Sequence, residues 1–263
     1  MTQTSANRIS SPASAVKGTT SLIKLLLKGR AFFALIAIIV VFSFLSPNYL
    51  TVSNLLIMSS HVAIYGILAI GMLVVILSGG IDLSVGSILA LCGVVAGALM
   101  QGIELKPLGV ILFAPVWAVV VLTCSLGAVL GALNGILIAW FRVPAFVTTL
   151  GVMYMARGVA LLMTNGLTYN NLAGRPELGN TGFDWLGFNR LFGVPISVVV
   201  LAVLAVLTGL MLSRSSFGRW LYASGGNENA ADLSGVPVKR VKITVYTLSG
   251  ILSAIADRMP ESV

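Results

Sequence analysis

Residues 108–141 run for 34 positions without a formal charge, and residues 55–77 for another 23. A helix needs about 20 apolar residues to cross a hydrocarbon core about 30 Å thick, and only structures that pair every backbone group internally are stable there. Runs of this length confine the chain to an all-α, polytopic transmembrane helix bundle. The composition agrees: 57% of the residues are hydrophobic and 9% charged, where soluble domains carry roughly 25% charged residues. Sixteen Lys and Arg against eight Asp and Glu give a net charge of +8. These bases flank apolar segments instead of gathering on one solvated face with aromatic platforms, so no nucleic-acid partner is expected. Cys92 and Cys124 lie inside apolar runs without Cys-x-x-Cys spacing, which indicates packing and no disulfide, zinc or other metal site.

Breaks and charges divide the chain into six full spans and a partial seventh. A tail, 1–30, rich in Ser and Thr and ending in Lys24, Lys28 and Arg30, precedes spans at 31–46, 55–77, 85–100, 116–140, 145–163 and 194–212. The first run ends in Ser46, Pro47, Asn48 and Tyr49, not in a small-residue cleavage site, and reads as an uncleaved span. Glu104 and Lys106 sit in the short loop after span three, and Pro115 divides the uncharged run that follows into an interfacial approach and span four. A polar loop, 164–192, carries Arg175, Glu177, Asp184 and Arg190, with Trp185 as an interface anchor. Segment 213–242 holds five bases against two acids, the short apolar run 243–256 makes the partial seventh span, and an atypical tail, 257–263, follows. Because loops rich in Lys and Arg stay inside, the N-terminus and 213–242 are expected in the cytoplasm and 164–192 outside.

Several residues invite a functional reading. Asn227 to Pro237 reads as a short helix capped by Asn227, with Glu228 at its positive end and Gly235 and Pro237 stopping it. Such a helix at a membrane surface fits a partner's groove; the plainer alternative is a solvated loop. Gly127, Gly131 and Gly135 share one helix face, where small residues let backbones approach. Asn134 beside them reads first as an inter-helix hydrogen bond and second as a polar residue lining a pathway. Thr148 and Thr149 divide between a pathway and bonds to their own helix. Arg157 interrupts span five, where a central Arg is penalised by at least about 2.5 kcal/mol, and must face protein or water. Asp82, in a glycine-rich break, reads as a cap for span three, and His61 as a packing residue before a proton relay.

The motifs GGNENAADLSGV at 225–236 and VKRVK at 238–242 resemble the coupling-helix loop of ribose-type ABC sugar permeases. LSGGIDLSVG at 77–86, LNG at 133–135, PAFVTTLG at 144–151 and the Arg157–Gly158 pair resemble further segments of that family in matching order over about 31–256. The resemblance implies a homodimeric bacterial inner-membrane permease of about ten spans per subunit, an ABC ATPase subunit holding ATP and Mg, and a periplasmic sugar-binding protein. It places the ATPase contact at Asn227, Glu228, Ala230, Ala231, Asp232 and Gly235, and leaves Asn134, Thr148, Thr149 and Arg157 as candidates for the pathway. Relative to that pattern the chain reads as truncated at its C-terminus.

The chain carries no Gly-x-x-x-x-Gly-Lys-[Ser/Thr] loop, no His-Glu-x-x-His and no Gly-x-Ser-x-Gly. No catalytic residue or bound cofactor is therefore expected in it. The leading expectation is a permease for a monosaccharide or small polyol driven by ATP hydrolysis in a partner. The alternatives are an ion-coupled carrier, for which Asp82 and His61 are the only intramembrane candidates, and a truncated fragment that inserts without transporting.

Overall fold

The computed structural model describes residues 29–105, 110–112, 114–167, 189–191 and 193–257. The tail up to Lys28, Lys106, most of the loop 164–192 with Arg175, Glu177, Asp184 and Trp185, and the residues after Asp257 lie outside the described residues. The chain divides into two units, 1–55 and 56–263. The first contains helix α1 (Arg30–Leu45), followed by a turn in which Tyr49 stacks on Phe42 with ring centroids 5.8 Å apart.

Helix α2 (Val52–Leu77) leads into the second unit, where α3 (Val85–Gln101), α4 (Val116–Ala139), α5 (Ala145–Thr164) and α6 (Ile196–Arg214) follow the expected spans to within three residues at each end. Prolines set several starts: Pro115, Pro144 and Pro195 are the residues immediately before α4, α5 and α6. There a missing N–H falls among the donors that the first turn leaves unpaired in any case. Four helices, α2, α4, α5 and α6, are long and apolar enough to cross a membrane, and α1 and α3 are shorter apolar helices, among the described residues.

One expectation needs correction, and one detail is added. The fold is the expected helical one, and its connections carry two small antiparallel hairpins, β1 (Ile103–Leu105) with β2 (Val110–Leu112), and β3 (Arg190–Leu191) with β4 (Val194–Pro195). The connections after α3 and before α6 therefore satisfy part of their backbone as small hairpins. Segment 213–242, expected to be a loop, is largely helical: after the end of α6 come α7 (Ser216–Gly226), α8 (Glu228–Leu233) and the start of α9 (Val238–Ala256). The apolar run 243–256 is thus the upper part of a 19-residue helix that begins just after Pro237. Counting charges hid its first turn, because Lys239 and Arg240 are exposed while Val238, Val241 and Val245 on the same helix are buried.

The core of the second unit is α9 lying against α4, the most extensive helix pair in the molecule. A Cβ on Gly127 would strike the carbonyl of Gly250, one on Gly131 that of Tyr246, and one on Gly135 would lie 2.6 Å from the Cα of Ile243. Gly250 answers from α9, since a Cβ there would meet the carbonyl of Gly127. The three glycines bring the two backbones into direct contact, with dispersion between main-chain atoms replacing side-chain interdigitation. Apolar clusters surround this seam. Val74, Ile138, Leu221, Val241 and Tyr246 tie α2, α4, α7 and α9 at one end, and Ile88, Leu91, Leu130, Ala156 and Ala254 join α3, α4, α5 and α9 further along. By contrast α6 has a single buried residue, Ser197.

Overpacking a filled core typically destabilises by about 1–3 kcal/mol. Gly131→Leu is expected to reach the upper end of that range in detergent, measured as a lowered thermal midpoint. Gly209→Leu on α6, where an added Cβ meets nothing within 4 Å, is expected to leave the midpoint unchanged.

Candidate functional site

The short helix α8 is built from its own sequence. Asn227 Oδ1 accepts the N–H of Ala230 at 3.0 Å, capping the start, and Glu228 occupies the first turn. At the other end Gly235 takes a left-handed φ of 83°. Its N–H reaches the carbonyl of Asp232 and the N–H of Val236 that of Ala231, each at 3.0 Å, which closes the helix as a Schellman motif. Ala231 is buried, whereas Asn229, Ala230 and Asp232 are exposed and the Leu233 side chain is 91% exposed.

A brace fixes α8 to the base of α9. Lys242 Nζ donates to both carboxylate oxygens of Glu228, at 2.6 and 2.7 Å. Glu228 is thereby engaged within the subunit, and the outward face of the helix is carried by the residues around Leu233. Behind α8 lies a cavity of about 670 Å³, to which Gly79 and Gly80, Arg142, Glu228, Asp232 and Lys239 contribute. Its floor is another backbone contact: a Cβ on Gly225 of α7 would strike the carbonyl of Leu77 at the end of α2. Helix α2 stops there in a second Schellman motif, with Gly79 at φ 79° and Gly80 N–H bonded to Val75 O at 3.1 Å.

The segment after Gly79 enters a buried polar cluster. The Asp82 carboxylate is 1% exposed; one oxygen accepts the Ser84 N–H at 2.9 Å and the Ser84 hydroxyl at 2.6 Å, and the other accepts the Ser249 hydroxyl of α9 at 2.8 Å. Ser84 Oγ in turn accepts from Asn134 Nδ2 of α4 at 2.9 Å, and the Tyr246 hydroxyl donates to the carbonyl of Ile81 at 3.3 Å. Asn134 is fully buried, and its Oδ1 has no hydrogen-bond partner.

The four pathway candidates do not converge. Asn134 sits in this cluster between helices. Thr148 and Thr149, both buried, donate to the carbonyls of Pro144 and Ala145 on their own helix, at 3.3 and 2.8 Å. Arg157 is exposed on α5 beside a cavity of about 550 Å³ to which α3 contributes Gly86, Ser87 and Ala90. His61 is half-buried on α2. Sequence reasoning missed Lys242, Ser249, Tyr246 and Leu233. Lys242 and Glu228 are 14 positions apart and Asp82 and Ser249 are 167 apart, so neither pair has a local signal.

With this geometry in place, the comparisons with known proteins decide the family. A sequence profile described as "Branched-chain amino acid transport system / permease component" matches residues 54–257. The chain belongs to that permease family. It is 40% identical over 231 residues to the ribose import permease protein RbsC of Escherichia coli (strain K12), covering 88% of this chain and 68% of that one. RbsC of Bacillus subtilis (strain 168) is 41% identical over 227 residues, 86% of this chain and 65% of its own. The L-arabinose transport system permease protein AraH of E. coli (strain K12) is 33% identical over 210 residues, 80% and 59%. No solved structure matches the chain. The molecule is thus a transport permease component and a multi-pass membrane protein.

The brace between α8 and α9 makes a prediction. A surface ion pair such as Glu228–Lys242, with its carboxylate side exposed and its lysine partly covered, contributes about 0.5–1 kcal/mol. Glu228→Lys is expected to raise amide hydrogen exchange across residues 229–234 by about threefold to fivefold. The exchanged pair Glu228→Lys with Lys242→Glu is expected to bring it back.

Proposed function

We propose that the chain is the permease subunit of an ABC importer for a monosaccharide or small polyol in a bacterial inner membrane, with ATP and Mg held by a separate ATPase subunit. The observation that carries this reading is α8: a capped, exposed helix braced by Glu228–Lys242 on the base of α9, in a family whose relatives include a ribose import permease and an L-arabinose transport permease. A rigidly mounted helix with an apolar tip suits docking in a partner's groove, because the push it receives reaches the bundle without loss in a slack linker. The family assignment favours this over an ion-coupled carrier, and the Asp82 carboxylate is already engaged by Ser84 and Ser249.

In this reading α1 to α6 are six spans and α9 contributes a seventh, with the N-terminus and α7–α8 in the cytoplasm. The basic residues Arg214, Arg219, Lys239, Arg240 and Lys242 at the α8 end support that orientation. A second copy of the subunit completes the pathway, and a periplasmic binding protein delivers the sugar. The ATPase is held at the face formed by Asn227, Asn229, Ala230, Asp232 and Leu233, while Glu228 and Gly235 keep the helix in place. Passage of sugar needs only weak, transient contacts, since selection falls to the binding protein. Arg157 at its cavity is the candidate that opens to solvent.

The test is reconstitution of the 263-residue chain in vesicles with the cognate ATPase and binding protein, scoring ATP-dependent uptake of ribose, arabinose and a polyol. Association with the ATPase and uptake of one of these is expected, and uptake that collapses with an ionophore instead of with ATP removal would favour the carrier. Burying one exposed leucine contributes roughly 1.5–3 kcal/mol. Leu233→Asp is accordingly expected to weaken ATPase association at least about tenfold while leaving membrane insertion intact; unchanged association would displace the docking face from α8.

A further inference from the structure

The segment 78–84 re-enters the bundle. Gly71 of α2 already lies against Ser249, α2 then runs six more residues to Leu77 beside Gly225 of α7, and Asp82 returns to Ser249, a turn back of about 9 Å at 1.5 Å per residue. Irregular backbone at that depth is tolerated only where protein encloses it, and here α9 and α4 do so. On α9, Lys242, Tyr246 and Ser249 follow one another at four and three residues and share a face. Lys242 holds α8, Tyr246 holds the carbonyl of Ile81, and Ser249 holds Asp82. Among the described residues the Asp82 carboxylate has hydroxyl and amide partners only, with no cation among them. A buried carboxylate is a costly way to secure a loop, and this one joins three elements at once, α9 directly and α4 through Ser84 and Asn134.

We propose that Asp82 is a positioning residue that binds segment 78–84, and with it the start of α3, to the body formed by α8 and α9, so that a displacement of α8 is delivered to α3 inside the bundle. Nothing in the structure places Asp82 against sugar; it acts through the hydrogen bond from Ser249. The proposal rests on the importer reading, since the displacement comes from the ATPase. It assigns a single moving body to α8, α9, α4 and the re-entrant segment: the first two are joined by an ion pair, the next by glycine contacts and the last by the Asp82 cluster.

The experiment uses the full chain reconstituted with ATPase and binding protein, and reads sugar molecules taken up per ATP hydrolysed. Ser249→Ala is expected to leave ATPase association and basal hydrolysis unchanged and to lower uptake per ATP about tenfold, the scale of ordinary coupling between sites. Since loss of a buried hydroxyl can also impair folding, a second variant restores the tie covalently. Asp82→Cys with Ser249→Cys is expected to be uncoupled when reduced, and to recover when mild oxidation cross-links the two positions. The unmodified chain, treated identically, is the control for Cys92 and Cys124. Full coupling in Ser249→Ala, or loss of uptake when the cross-link forms, would overturn the proposal, the latter because it would mean the segment must slide along α9. If the unmodified chain neither binds nor is driven by the ATPase, the importer reading falls and this inference with it, a result distinct from coupling that survives Ser249→Ala.

Discussion

The backbone contact between α4 and α9 is the constraint on which the rest of the second unit depends. With Gly127, Gly131 and Gly135 facing α9 and Gly250 facing back, the helices approach until carbonyl oxygens fill the space that side chains would occupy. That approach brings Asn134 to Ser84 and places Ser249 over Asp82. In lipid the hydrophobic effect gives little drive for helix association, so close packing and polar contacts supply the stability. Here the two reinforce one another, since the hydrogen bonds form only because the glycines let the helices close.

The same economy extends to the surface end of the bundle. Helix α8 has six residues, too few to persist alone, and it is stabilised from three sides by the Asn227 cap, the Gly235 Schellman turn and the Lys242 brace. Each is local to α8 or to the first turn of α9. The helix can be presented outward while its inner face, through Ala231, stays buried.

Much of this was legible in the sequence. The limits of α2 to α6 were read to within a few residues because uncharged runs and prolines mark them directly, and the four-residue spacing of the glycines placed them on one helix face. Asn227 and Gly235 announced the ends of α8 by residue type alone. Two kinds of feature were hidden. The start of α9 carries Lys239, Arg240 and Lys242, and a charge count reads that as loop although the helix turns Lys239 and Arg240 to the surface, engages Lys242 with Glu228 and keeps Val238 and Val241 inside. Long-range pairs, Glu228 with Lys242 and Asp82 with Ser249, depend on how the helices close, which no local pattern encodes. The short hairpin strands were hidden as well, since strands of two or three residues have no periodicity to detect.

Helix α6 presents the opposite case to the glycine seam. With Ser197 as its one buried residue and Val200, Leu201 and Leu204 partly covered, its identity as a sequence is nearly free: any apolar run of the same length that keeps the small residue near its start satisfies the same neighbours. Across generations the two helices should therefore age differently. Exchanges among aliphatic residues are tolerated on α6, while the seam between α4 and α9 has no side-chain volume left to vary.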